Sequence, residues 1–325
     1  MDRIVTVFGA SGFLGRHIVR ALAREGFRIR AVCRRPNLAF HLLPAGVPGQ
    51  IQLFKGNVRN EASVASALQG ADAAVNAVGV LFGHGTQSFE GLHVDAACFI
   101  ARQAAAANVR VLAHISAIGA DPTALSHYAQ TKGDGEARVH EAFPAATILR
   151  PSLVFGPEDD AFNKFAWIAR YAPALPLIGG GHTRFQPVYV GDVAAATVRA
   201  LTDEALQEKT FELGGPKIYS FKELMQFVMR ETGHQRLLVP LPSVLAKIAA
   251  FFLQMPSLML PIPPLLAVDH VRLLKSDNVV GDGAATLADI GIVPQSVESI
   301  VPNYLWRFRA KGQFEPNLTA PAETR

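Results

Sequence analysis

The chain has 325 residues, half of them hydrophobic and 18% charged, which excludes a disordered chain and allows one large or two smaller domains around a sizeable core. With 31 Lys and Arg against 27 Asp and Glu the net charge is only +4, and no basic block occurs, so nucleic acid is not an expected partner. Cys33 and Cys98 form no CxxC and the ten histidines are scattered, a pattern of a reducing compartment without a metal site.

Eight arginines fall in the first 35 residues, as in a mitochondrial presequence, but an apolar run begins at Ile4 and a glycine turn follows it, so folded structure is expected from there. Strands are expected at Ile4–Phe8, Arg28–Cys33, Gln50–Lys55, Ala73–Asn76, Val111–Ser116 and Thr147–Leu149. Helical periodicity covers Phe13–Arg24, Glu61–Leu68, Phe89–Asn108 and Ser126–Ala142. This alternation is the pattern of βαβ units and predicts an α/β fold, a Rossmann-type doubly wound parallel sheet with its ligand at the carboxyl ends of the strands. After Pro151 the pattern changes. Residues 157–185 read as a helix and a loop, and 186–214 as a further helix and strand returning to the sheet. The expected division is a nucleotide-binding domain of 1–156 plus 186–215, a smaller, mainly helical substrate or partner domain of 157–185 plus 216–310, and a mobile polar tail, 311–325.

Residues 248–268 carry no charge but four prolines, Pro256, Pro261, Pro263 and Pro264. The length matches a membrane span, the prolines oppose a continuous helix, and the segment reads as a span, as buried core, or as an apolar surface facing a membrane or a partner.

The chemistry begins at Gly9-Ala-Ser11-Gly12-Phe13-Leu14-Gly15, between the first strand and the first helix. In that position the three glycines serve a tight turn, a close approach of backbone to a pyrophosphate, and close helix–strand packing, and the helix N-terminus favours the phosphates. The second strand ends in Arg34-Arg35 where a carboxylate would select NAD; two guanidiniums suit a 2′-phosphate, and NADP(H) is the expected cofactor. Asn57-Val58 after strand three is placed for the adenine, and Ala77-Val78-Gly79 after strand four forms a wall of small residues near the ribose and pyrophosphate. Tyr128 and Lys132 lie one above the other on a helix face. The ammonium is expected to lower the phenol's pKa, which would make Tyr128 an acid/base for a carbonyl–alcohol pair, with Ser116 polarising the substrate oxygen.

The GASGFLG turn, the YAQTK pair and LRPSLVFGP (Leu149–Pro157) resemble the extended and atypical short-chain dehydrogenase/reductase superfamily, closely over residues 3–215. There the RP segment, with Pro151, lines the nicotinamide pocket. Within it the chain is most similar to the nucleotide-binding accessory subunit of respiratory complex I and its bacterial relatives, through VTVFGASGFLGRHIVRALAREGFRIRAVCRRP (Val5–Pro36), AVNAVGVL (Ala74–Leu81), HISAIGAD (His114–Asp121), YAQTKGDGEARV (Tyr128–Val139) and FQPVYVGDVAAA (Phe185–Ala196). The resemblance implies NADPH held for structure or regulation more than turnover, complex I subunits near the quinone site as partners, and a peripheral place on the cytoplasmic face of a bacterial inner membrane, or on the matrix face if a presequence was removed. It also implies membrane-surface or partner contact through 248–268. Asn57 stands where many relatives carry Asp, so its contact would pass to an amide oxygen or be lost. Ser116, Tyr128 and Lys132 keep open an active NADPH-dependent reductase of an apolar carbonyl or alcohol. A nucleotide-sugar epimerase or dehydratase is weaker, since only Arg184 and Arg272 offer themselves to a diphosphate.

Overall fold

The computed structural model describes residues 3–83, 85, 87–259, 264 and 266–314. Its first strands are β1 (Ile4–Phe8), β2 (Arg28–Cys33), β3 (Ile51–Lys55), β4 (Ala73–Asn76), β5 (Val111–Ile115) and β6 (Thr147–Pro151). The short β7 (Val154–Phe155), β8 (Ala174–Ile178), β9 (Arg184–Phe185) and β10 (Val188–Tyr189) follow, then β11 (Thr210–Leu213). Among the described residues β11, β6, β5, β4, β1, β2 and β3, in that order, form one seven-stranded sheet, parallel throughout. The order reverses beside β1, the switch point where a doubly wound sheet opens its ligand crevice.

The crossovers are α1 (Phe13–Arg24), α2 (Glu61–Leu68), α3 (Ala96–Ala106), α4 (His127–Ala142) and, after α5 (Ala161–Tyr171), α6 (Val190–Thr202). Alternation along the strands sends side chains to two cores. Val5, Val7, Ala113 and Ile115 meet α1 and α6 through Ile18, Leu22 and Val193 on one face. Phe8, Ala74 and Leu112 meet α2, α3 and α4 through Val64, Ile100 and Val139 on the other. The β2–β3 connection has no α-helix: two short 3-10 turns, Pro36–Leu38 and Phe40–Ala45, cross over α1, because Pro36 and Pro44 break the run.

The expected helix Phe89–Asn108 differs in its first turns, where Glu90–Asp95 is a wide π-helical turn before α3. Helix propensity does not distinguish the two; the wider turn carries His93 to buried partners described below.

Away from the sheet, β12 (Tyr219–Ser220) pairs with β9, α7 (Phe221–Thr232) starts on a Ser220–Glu223 capping box, and β13 (Leu237–Leu241) pairs with β8. With α8 (Ser243–Met259), α9 (Val268–Leu273), α10 (Val297–Ile300) and α11 (Pro302–Leu305), these elements surround a separate core of Phe155, Phe162, Phe221, Phe227, Val301 and Leu305. The expected partition does not run through 216–310 unbroken: Leu287 and Ile290 return to the core against α1 and α6, and Ala285 bridges Phe211 of β11.

Of the apolar stretch 248–268, α8 covers the first part. It buries Ala246 and Ala250 and exposes Ile248, Phe251 and Phe252. Among the described residues no helix is long and apolar enough to cross a membrane, which removes the membrane-span reading for them. Residues 260–263 and 265, and the expected tail from 315 on, lie outside the described residues.

Candidate functional site

Gly9 leaves β1 at φ +78°, and a Cβ there would stand 2.7 Å from the Ala77 carbonyl oxygen at the end of β4. Only glycine permits both the left-handed turn and that approach. Gly15 is closer still: a Cβ would fall 2.1 Å from the Gly9 carbonyl oxygen, so the helix sits directly on the strand end. Gly12 is the N-cap of α1, extended and without a side-chain cap, and leaves the first-turn amides of Phe13, Leu14 and Gly15 to an external acceptor. Ser11 is half-buried and its carbonyl accepts from Arg16. The cradle thus fits a pyrophosphate.

Arg34 and Arg35 are exposed at the end of β2, and neither side chain has an ion pair among the described residues. Asn57 is exposed, and its Oδ1 accepts from the Arg59 N–H at 3.2 Å. Val58, Ala77 and Val78 pack partly into the two cores, while Gly79 stays exposed.

At the other end of the crevice the ends of β4, β5 and β6 meet α4. Ser126 caps α4, its hydroxyl accepting from the Ala129 N–H. Lys132, 4% exposed, donates from Nζ to the Ile115 carbonyl at 3.1 Å, and a Cβ on Gly79 would stand 3.4 Å from that nitrogen. Ser116 is buried, its N–H bonded to the Leu149 carbonyl of β6 and its hydroxyl without a hydrogen-bond partner among the described residues. An unmet buried hydroxyl costs about 1–3 kcal/mol, which a water or a bound ligand at this place would offset. Pro151 is buried and accepts from the Ile118 N–H, which holds the β5 and β6 ends together.

The expected electrostatics of the Tyr–Lys pair are reversed. Burial pushes the Tyr128 phenol up to about 12, and burial pushes the Lys132 ammonium down to about 8, partly offset by Glu136. Loss of water around each group penalises its charged form, and this outweighs the help of Glu136 at Lys132.

Two residues that sequence reasoning missed complete the site. His93 stacks on Phe89 and meets the Tyr128 ring edge-on, with centroids 5.4 and 5.3 Å away. Its Nε2 accepts from the Val80 N–H at 3.2 Å and its Nδ1 meets the Thr131 hydroxyl at 3.0 Å, so it ties the end of β4 to α4. Burial and the nearby Lys132 push it down to about 2, and it stays neutral. Asp269, at the start of α9, accepts from the Ser126 hydroxyl and from the His127 and Tyr128 N–H groups at 2.8, 3.0 and 3.0 Å. A carboxylate on a helix N-terminus is favoured by the macrodipole. No local pattern announces these contacts: His93 reaches Val80 across 13 residues and Thr131 across 38, and Asp269 reaches His127 across 142. Asp269 also lines a cavity of about 530 Å³ with the apolar Leu81, Phe82, Phe89 and Phe251 and the polar Glu90, His127, Gln254 and Arg272. Arg184 and Arg272, the two cations considered for a diphosphate, pair with Asp277 at 2.8 Å and Asp269 at 3.7 Å.

Residues 9–204 match the model of a family described as NAD(P)H-binding. The NADH dehydrogenase [ubiquinone] 1 alpha subcomplex subunit 9 of Arabidopsis thaliana is 33% identical, over 95% of this chain and 79% of that protein. The chain belongs to the NAD(P)H-binding family and, within it, to the family of this subunit. Other members are similar along their length: the Mus musculus subunit 9 is 31% identical over 99% of this chain and 85% of its own. A ceramide reductase of Caulobacter vibrioides is 29% identical over 74% of each chain. An Escherichia coli NADPH-dependent quinone oxidoreductase has the same fold, with a TM-score of 0.73 at 21% identity, covering 93% of this chain and 99% of that one. The NAD(P)H-binding family accounts for the glycine cradle and the open helix N-terminus.

Proposed function

We propose that this chain is an NADPH-binding accessory subunit of a respiratory NADH:ubiquinone oxidoreductase, with the nucleotide serving structure or regulation more than turnover. The observation that carries the reading is likeness along nearly the whole chain to subunits of that complex, joined to an intact cradle. The unpaired Arg34 and Arg35 at the end of β2 favour the phosphorylated cofactor. When bound, the cofactor supplies a hydride; the chain's own residues bind it, with Phe13–Gly15 amides for the pyrophosphate, the arginine pair for the 2′-phosphate, and Lys132 and Ser116 at the nicotinamide end.

The subunit is peripheral in this reading, on the cytoplasmic face of a bacterial inner membrane or the corresponding matrix face, near the quinone site, with the exposed apolar side of α8 turned to lipid or a neighbouring subunit. The division into a nucleotide-binding and a smaller partner domain belongs to the same proposal. A high-pKa Tyr128 and a Lys132 already held by Ile115 favour a retained fold over fast acid/base turnover.

The second reading, an NADPH-dependent reductase of an apolar carbonyl or alcohol, is favoured by the buried Ser116 hydroxyl, without a partner among the described residues, and by the cavity that Leu81, Phe82, Phe89 and Phe251 line in part. One comparison tests the pair. Tyr128→Phe leaves assembly and growth unchanged if the chain is an accessory subunit, and abolishes a turnover with NADPH binding intact if it is a reductase.

A further inference from the structure

The β2–β3 crossover exposes four large apolar side chains within ten residues: Leu38, Phe40, Leu43 and Val47 are 63, 61, 40 and 68% accessible. Isolated exposed apolar residues are ordinary; four on one short stretch that is fixed by Pro36, Pro44 and Pro48 are not. The stretch is anchored, since Ala39 and Leu42 are buried against α1 and the sheet. Its exposed residues are therefore presented on a fixed support.

Beside them lies a cleft of about 330 Å³ between α1 and the second 3-10 turn, lined by Arg20, Arg24, His41, Pro44 and Ala45. The carboxylate that pairs with Arg20 is shared already. Glu158 takes His17 at 2.9 Å, Arg20 at 3.8 Å and Arg16 at 3.9 Å, and Arg24 has no ion pair among the described residues. The cleft is thus a basic recess, and Phe40 and Leu43 adjoin its lining residues His41 and Pro44 in the chain.

We infer that this face docks an acidic segment of a neighbouring protein subunit, which places a carboxylate between Arg20 and Arg24 and covers Phe40 and Leu43 with apolar side chains. The inference rests on the accessory-subunit reading and adds to it a docking surface and the chemistry of its partner. A protein partner is favoured because the chain's relatives are subunits of a multi-protein complex and the basic lining of Arg20, Arg24 and His41 suits a carboxylate; an anionic lipid headgroup is the occupant that the cross-linking below excludes. Desolvated Arg–carboxylate contacts with an apolar surround are the usual makings of an interface anchor.

The test uses the full chain in its native membranes. Phe40 is replaced by a photo-crosslinking phenylalanine analogue, with Val293, exposed elsewhere, as the control position. Phe40→Asp and Arg24→Glu are made separately, and the purified variants are checked for unchanged melting and NADPH content. The expected result is one protein adduct at position 40, absent at 293, whose cross-linked peptide carries Asp or Glu, and a co-migration with the NADH-oxidising complex that falls at least tenfold in either variant. Lipid adducts alone, no adduct at position 40, or variants that co-migrate like the unaltered chain overturn the docking surface while leaving the accessory-subunit reading intact. Failure of the unaltered chain to co-migrate overturns both.

Discussion

Gly15→Ala is the sharpest probe of the cradle. The added Cβ would lie 2.1 Å from the Gly9 carbonyl oxygen, 2.8 Å from its carbon and 2.9 Å from the Ala10 Cα. All three are backbone atoms of the turn itself, so no side chain can rotate away, and α1 must lift by roughly 1 Å to restore ordinary contact. Overpacking of this kind costs about 1–3 kcal/mol, and the rigid neighbours put this site at the upper end. At about 2 °C per kcal/mol for a chain of this size, the apo protein should melt roughly 6 °C lower. The lifted helix also carries the pyrophosphate amides away from their place. Saturating NADPH stabilises the unaltered chain by about 4 kcal/mol at a thousandfold excess over Kd, and that increment should vanish in the variant. Gly26→Ala is the control: φ is +79° with nothing within 4 Å of the new Cβ, so it costs about 1–2 kcal/mol of backbone strain and leaves the NADPH increment intact. Differential scanning with and without NADPH reads both. A Gly15→Ala protein with normal melting and a full NADPH increment would refute the close-packed cradle.

The arginine pair gives a second expectation. Arg34→Ala and Arg35→Ala should each lower NADPH affinity by about tenfold or more, the worth of a charge-assisted contact of roughly 1.5–3 kcal/mol, with NADH affinity little changed in calorimetry; equal losses for both nucleotides would count against a 2′-phosphate site. Asp269→Ala removes the acceptor of three α4 donors and should cost about 1–2 kcal/mol, the range of an N-cap, seen as a lower denaturant midpoint, and an unchanged midpoint would remove Asp269 from the site. Lys132 carries a pH signature. Its folded pKa, about 8, lies below the usual lysine value, so the unfolded chain holds the extra proton between the two, and stability from this group rises with pH across that window. Lys132→Met should therefore be more stable than the unaltered apo protein at pH 7, with the gain shrinking toward pH 10; a gain that grows with pH would contradict the buried ammonium.

Local signals were the legible ones. β1 and β2 end where apolar runs meet Gly9 and Arg34, β4 ends at the polar Asn76, and the cradle follows from three glycines within seven residues. Tyr128 and Lys132 could be paired because four residues of helix set their spacing. The rest depends on contacts distant in sequence. His93 reaches Val80 and Thr131 only because the chain widens into a π-helical turn, which helix propensity does not signal, and Asp269 arrives from more than a hundred residues away. The Tyr128 phenol follows the same rule: spacing shows the ammonium one turn away, whereas the burial that raises the phenol belongs to the assembled fold. The exposed crossover was hidden because apolar Leu38, Phe40 and Leu43 look like core until the structure shows which side of α1 they occupy.

The central claim is tested most directly by extracting native membranes in mild detergent, following where this chain migrates, and identifying its nucleotide. The account predicts co-migration with the NADH-oxidising complex and stoichiometric NADPH that does not turn over. A free monomer or dimer that exchanges and consumes NADPH would contradict it.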